Sequence, residues 1–500
     1  MQSSNAQADN PDDLSSKRHT SSYRDRSGFI FTKDGALYRA VSHSYQDNYK
    51  ALISSGLYKQ LADQTLLISH QEMPETFVSL IKEELGDSFD TYKVLQPELI
   101  PFISYPYEWS FSALKSAALL TLKLEEVALD YNLTLKDATP YNVQFFGARP
   151  IFIDTLSFEQ YLPGTPWIAY KQFCEQFLAP LALLAKVDSR ISRLLVSNLD
   201  GIELDFATKL LPFTSKFSLG LLTHIHLHAK AQQKFANNFQ KATKKIKAKI
   251  SLHSRKALID SLRTTIQALN WCFSGRFSKS EWANYYDDTN YSKQATLEKT
   301  RLVAEMIEVI SENNSHSKKT KIAWDFGANV GVYSDLLVKA GYYTVAWDVD
   351  AVAVEKNFLR LTQGANQLSS FELPLKLDIM NPSPNLGFMH KERSSLAERS
   401  HQVDLITALA MIHHLAISRN APLADLSRFF SKLCKHLVIE FVPKEDSQVV
   451  KLLNTRKDIF DDYHVNGFET AFSKNFEILS SHIINGTSRK MYLMRSIACK

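Results

Sequence analysis

The thirty residues from Lys321 to Asp350 constrain this chain more than any other stretch. Ile322 to Phe326 is a short apolar run closed by a glycine turn, the pattern of a buried strand. An amphipathic helix follows, then a second strand from Tyr343 to Trp347 that ends in Asp348 and Asp350. Gly327 and Gly331 bracket the turn, where they can take backbone angles other residues avoid and let the main chain approach a ligand. The helix beyond would offer unsatisfied N–H groups and a partial positive charge. Asp348 stands at the end of the second strand, where a parallel α/β sheet grips a nucleoside ribose.

Two cofactor classes suit such a unit. A dinucleotide needs G-x-G-x-x-G so that its pyrophosphate can sit on the helix. Here the spacing is G-x-x-x-G, Asn329 takes the middle glycine's place, and Asp325 opens the turn. A carboxylate there repels pyrophosphate and suits the ammonium and sulfonium charges of S-adenosylmethionine. The segment resembles motif I and the acidic loop of class I S-adenosylmethionine-dependent methyltransferases. That resemblance implies a C-terminal Rossmann-like domain with a seven-stranded, mostly parallel sheet. It also implies a cofactor site built from Asp325, Gly327, Asn329, Gly331 and Asp348.

Further residues fit the same expectation. Leu375 to Leu377 reads as a strand ending at Asp378, the position where this family's acid meets the adenine amino group. Val403 begins a fourth strand whose following loop carries His413 and His414; the resemblance implies that this loop faces the transferable methyl group. Imidazole titrates near working pH, so either histidine is a candidate for removing a proton from an O–H or N–H acceptor. The loop lacks the Pro-Pro-Tyr of amine-clasping nucleic-acid methylases, and the chain has no Pro-Cys pair for covalent pyrimidine chemistry. Tyr291, in the aromatic-rich entry that begins at Phe277, is the candidate lid over the cofactor. His436 to Val442, Phe476 to Leu479 and Arg489 to Arg495 complete the strands. The run Glu440-Phe-Val-Pro-Lys-Glu-Asp446, with the histidine loop and an N-terminal hairpin described next, resembles a bacterial class I methyltransferase family of about this length that includes nodulation-type members.

The N-terminal part reads differently. Residues 1–28 are polar and expected to be a disordered tail. An α+β domain is expected over 29–160, beginning with a hairpin turning at Lys33-Asp34-Gly35. Ser110 to Tyr131 has helical spacing, and two strands, Asn142–Phe146 and Pro150–Asp154, are joined by Gly147-Ala148-Arg149. Asp137, Asn142 and Asp154 have the spacing of a kinase-like catalytic loop and its metal-binding acid. The loop histidine, a Gly-rich phosphate loop and a strand lysine are missing, and Arg39 occupies the only plausible strand. A degenerate kinase-like element is the favoured reading, with phosphotransfer as the alternative activity.

Residues 161–275 are expected to be mostly helical and 276–500 to form the methyltransferase domain. Lys230 to Lys256 holds nine Lys/Arg and no Asp/Glu; a nucleic-acid or protein-binding surface is the second alternative, a solvated helical face the favoured one. His224, His226 and His228 would share one face of a strand, but no metal site is expected, since no Cys or acid accompanies them. Four scattered cysteines without a C-x-x-C pair point to a reducing compartment, and no apolar leader or membrane span is visible. The chain is therefore expected to be cytoplasmic, with an unidentified small-molecule acceptor and no membrane partner. A charge balance of 58 Lys/Arg against 53 Asp/Glu neither requires nor excludes nucleic acid.

Overall fold

Seven strands of the C-terminal half lie in the order β11-β10-β9-β12-β13-β15-β14 in a computed structural model of the chain. The structure describes residues 18–85, 90–237, 250–271, 291–313, 320–363, 370–454 and 456–497. The strands are β9 (Ile322–Phe326), β10 (Tyr343–Asp348), β11 (Glu372–Lys376), β12 (Val403–Ala408), β13 (Cys434–Phe441), β14 (Phe476–Ile483) and β15 (Lys490–Ser496). Strands β9 to β13 pair in parallel, while β15 inserts antiparallel between β13 and β14. This is the class I methyltransferase arrangement. The order reverses between β9 and β12, which opens a crevice at their C-terminal ends. The central strands are apolar on both faces because helices cover both; β10 is buried throughout.

The N-terminal half begins with a four-stranded antiparallel sheet in the order β1-β2-β4-β3: β1 (Gly28–Lys33), β2 (Ala36–Ser42), β3 (His70–Glu72) and β4 (Thr91–Pro97). Asp34 and Gly35 make the first turn with φ of 51° and 76°, the twist a two-residue hairpin requires. Residues 18–28, expected to be tail, are tied to this sheet. Arg18 bridges to Phe31, and Asp25 pairs with Arg39 at 2.7 Å. A 20-residue helix, Phe111–Asp130, starts at a Ser110 cap and is buried along most of its length. After it come β5 (Leu133–Leu135), the hairpin β6 (Val143–Phe146) and β7 (Arg149–Phe152), and β8 (Phe158–Gln160). The described part of 161–275 is mostly helical, as expected.

The expected boundary near residue 276 does not separate two cores. One hydrophobic cluster runs from Leu52 to Met494 and contains residues of both halves. Phe102 sets its ring edge-on to both Trp324 and Trp347, at 5.7 and 5.6 Å, contacts worth about 0.5–1.5 kcal/mol each beyond burial. Tyr343 of β10 donates to the Phe145 carbonyl and accepts from the Gly147 N–H, both at 3.2 Å. Glu355 takes the Ser112 N–H and hydroxyl at the start of the long helix. The N-terminal half thus covers part of the methyltransferase sheet.

Candidate active site

The turn after β9 is built from left-handed backbone. Gly327, Asn329 and Gly331 have φ of 71°, 51° and 87°, and asparagine is one of few side chains that tolerates that region. Its N–H groups are used within the protein. Gly327 and Ala328 both donate to the Trp347 carbonyl, at 2.9 and 3.0 Å, and Asn329 donates to Asp348 at 2.8 Å. The helix that follows is short, Ser334–Lys339. The turn therefore spends these N–H groups on fixing the strand ends.

Those carboxylates converge. A cavity of about 420 Å³ opens at the C-terminal ends of β9, β10 and β12, within the range of small-molecule sites. Asp325, Gly327, Asn329, Asp348, Asp378, Tyr291 and His414 all line it. Asp325 is 2% exposed and accepts from Thr407 at 2.6 Å and Ser334 at 2.7 Å. Burial outweighs those bonds and pushes its pKa up to about 6. Asp348 accepts the Asn329 and Asp350 N–H groups, each at 2.8 Å, and burial likewise raises it to about 6. Both are acids whose ionised form lacks a full complement of compensation, the state that a cationic, hydroxyl-bearing ligand would relieve. Asp378 lies just past β11, its carboxylate holding the Met380 N–H at 3.0 Å and Arg419 at 3.5 Å.

Two expected residues sit elsewhere. Gly331 is not in the cavity wall. A Cβ there would lie 2.5–2.7 Å from Arg360, Glu372 and Asn357, so its missing side chain makes room for a buried polar cluster. His413 is buried behind the wall, 2% exposed, its ring 4.1 Å from that of His414. His414 is the one facing the cavity. Burial, with Arg489 nearby, lowers its pKa to about 4, so it is neutral at physiological pH and weak as a base.

One part of the site was missed from sequence. Lys299, on the helix Lys293–Asn313, lines the cavity and pairs with Glu440 at the end of β13 at 2.7 Å. Arg489 binds the same carboxylate at 3.2 Å and Asp446 at 2.7 Å. Tyr291 donates to Glu440 and accepts from Arg489 at 2.7 Å, while Lys299 stands 5.0 Å from its ring. Burial pushes Glu440 up, but the two cations overcome it and hold the group below its ordinary value. The one available signal was Glu440 itself, a charge inside the otherwise apolar strand His436–Val442. Tyr291 lines the cavity and is anchored there by its bonds with Glu440 and Arg489; Trp282, Tyr285 and Tyr286 lie outside the described residues.

The Asp137, Asn142 and Asp154 side chains are also brought together: Asn142 hydrogen-bonds Asp137, and Ser157 links Asn142 to Asp154. Asn142 donates to Ser157 at 3.0 Å, and Ser157 donates to Asp154. Arg39 closes on Asp154 at 2.6 Å, Gln172 occupies Asp137 at 2.6 Å, and the β1–β2 turn is two residues long. No phosphate-clamping loop fits in that turn, so the kinase-like signature gains no support. His224 and His226 lie in a π-helical segment, Leu222–Leu227, rather than on a strand, and His228 begins the next helix. His224 bridges Tyr170 and Ser261 at 2.8 Å each, and no group able to hold a metal ion occurs among the described residues.

No family model matches the chain. It is 34% identical over 483 residues to the nodulation protein NoeA of Rhizobium meliloti strain 1021, covering 95% of each chain. The chain belongs to the NoeA family of nodulation proteins. Among solved structures, magnesium protoporphyrin IX methyltransferase from Synechocystis PCC 6803 with bound SAH aligns at TM-score 0.29 and 17% identity, over 43% of this NoeA-family chain and 93% of that one. The N-methyltransferase NodS of Bradyrhizobium japonicum WM9 aligns at 0.27 and 11%, over 39% and 95%. The bifunctional kinase-methyltransferase WbdD aligns at 0.28 and 12%, over 43% and 42%. The strand order, not these alignments, assigns the fold.

Proposed function

We propose that this NoeA-family chain is an S-adenosylmethionine-dependent methyltransferase acting on the oxygen or nitrogen of a small-molecule acceptor. The convergence of Asp325, Asp348 and Asp378 from three successive strand ends on one cavity carries the reading. The cavity fits the cofactor on chemical grounds: buried carboxylates face it with raised pKa values, and Gly327 keeps its wall open, a Cβ there meeting nothing closer than 3.8 Å. Asp325 would take the ammonium group, Asp348 the ribose hydroxyls and Asp378 the adenine amine. Each charge-assisted bond is worth about 1.5–3 kcal/mol.

When bound, the cofactor supplies an already activated methyl group. The chain's own task is then to hold the acceptor in line and to exclude water. His414, neutral at physiological pH, orients an acceptor O–H or N–H from the β12 side, and Tyr291 closes the edge. Asp325 and Asp348 stay ionised above about pH 6, the first to hold the cofactor's ammonium group and the second to accept from its ribose hydroxyls. We place the reaction in the cytoplasm, which suits two buried free thiols, Cys174 and Cys434; no described helix is long and apolar enough to cross a membrane.

Calorimetry with S-adenosylmethionine tests the pocket. The wild-type protein binds, and Gly327→Arg and Asp348→Ala lose binding; undiminished affinity in both variants would remove the assignment. Mass spectrometry of extracts with and without the active protein then seeks the acceptor as a species heavier by roughly 14 Da, one CH2 group.

A further inference from the structure

From Phe206 to Ile259 the chain contains eleven Lys/Arg and no Asp or Glu. Part of this stretch is absorbed internally. Arg255 is buried against Glu125 at 2.8 Å, and Lys256 binds Asp130. Lys241 to Lys249 lie outside the described residues. The unassigned part is the turn Phe213–Phe217 and the residues beside it.

Phe213, Phe217 and Leu219 are 68%, 79% and 78% exposed within seven residues. Single exposed apolar side chains are ordinary; a cluster of three large ones marks an interaction surface. The turn is held in that posture. Ser215 is buried, and its hydroxyl meets His226 Nε2 at 2.8 Å, so residues on either side of it point outward. The two Phe rings pack edge to face at 5.7 Å, and Lys216 stands 4.8 Å from the Phe213 ring. Lys230 follows His226 by four residues in continuous helix, so it lies on the same side as the His226–Ser215 contact; with Lys216 this puts two exposed cations beside the apolar tip.

We propose that this turn docks the protein onto an anionic lipid bilayer, Phe213, Phe217 and Leu219 entering the headgroup boundary while Lys216 and Lys230 meet the anionic heads. Apolar residues that insert beside lysines that stay at the surface are the pattern of interfacial, non-spanning membrane contact. Charge decides against a second copy of the chain, since a symmetric contact would set lysines against lysines with no acid to pair them. Ring geometry decides against nucleic acid, because rings packed edge to face give successive bases no stacking platform. Composition alone implied no membrane partner: the apolar residues are scattered among the lysines and become one tip only in the folded turn.

The experiment is co-sedimentation of the full chain with phosphatidylcholine vesicles, with and without roughly one-third phosphatidylglycerol. Binding is expected only to the anionic vesicles and should weaken as salt rises. Phe213→Ser with Phe217→Ser should lower it at least ~10-fold, and Lys216→Glu with Lys230→Glu by a similar factor. All four side chains are exposed, so thermal melting should be unchanged and misfolding is checked independently. Equal binding to both vesicle types, no binding, or full retention by either double variant overturns the proposal. So does single-stranded RNA binding that the Phe variants abolish while vesicles are ignored, or a dimer in light scattering that those variants dissociate.

Discussion

Asp325→Asn separates the fold's needs from the site's. In the folded protein Asp325 is fully enclosed, and burial raises its pKa from 3.8 to about 6. A raised carboxylate pKa means that the folded state binds the proton more tightly than the unfolded one. The group therefore costs nothing below the unfolded value, costs progressively more from about pH 3.8 to 6, and holds a constant penalty above that. A shift of that size amounts to about 3 kcal/mol at neutral pH, an upper figure for the gain on removing the charge. Asparagine keeps the geometry, because the Thr407 and Ser334 hydroxyls can each donate or accept. The variant should thus melt higher than wild type at pH 7.5, and the difference should vanish near pH 4. S-adenosylmethionine binding should move the other way. Loss of one charge-assisted bond of about 1.5–3 kcal/mol weakens affinity roughly 10- to 150-fold. Paired melting curves and titration calorimetry read both quantities on one preparation. A variant that is less stable at pH 7.5 and binds the cofactor as well as wild type does would refute both the burial argument and the role.

Wild-type cofactor affinity should fall below about pH 6, where Asp325 and Asp348 take up protons, and stay level from pH 7 to 8 by calorimetry. His414 cannot produce that limb, since its pKa is about 4. Gly331→Ala should destabilise the fold by about 1–3 kcal/mol, because φ is 87° and the new Cβ meets Arg360, Glu372 and Asn357, yet any folded fraction should bind cofactor normally. Arg255→Met leaves the buried Glu125 carboxylate unpaired and should cost about 3–5 kcal/mol in urea unfolding, with little effect if Glu125 is also made Gln. His414→Ala should cut turnover without changing cofactor affinity, a split that His413→Ala should not reproduce.

What the sequence revealed followed from local physics. The β9 and β10 strands, the left-handed turn and Asp348 are consequences of apolar runs and glycine spacing within thirty residues, and each was found where expected. The β1–β2 hairpin was equally legible, since Asp34-Gly35 leaves a chain few alternatives. Roles set by distant contacts were not legible. Gly331 looked like a ligand-facing glycine, but the groups that forbid its side chain come from the helix Ala351–Gln363 and from β11. His224 and His226 alternate as on a strand, yet their neighbours Tyr170, Ser261 and Ser215 draw them into a π-helical segment. The packing across residue 276 was hidden for the same reason. Nothing near Phe102 announces that it will pack on Trp324 and Trp347.

The cavity's charge distribution narrows how an acceptor can approach. Acids come from β9, β10 and the end of β11; the cations Lys299 and Arg489 gather around Glu440 on the β13 side. A ligand with an ammonium and hydroxyls is drawn to the first side, which leaves the β12–β13 side for a second molecule. There the wall is Met411, His414 and Leu415, mostly apolar with one neutral imidazole. Glu440 is already neutralised by two cations and a tyrosine, so it is poorly suited to serve as a base. On the function proposed above, orienting the acceptor is left to His414, and with a pKa of about 4 that imidazole would position a nucleophile better than deprotonate one. On that proposal, an acceptor that already presents a free lone pair, such as an un-ionised amine, would match this wall better than an alcohol that must be ionised first.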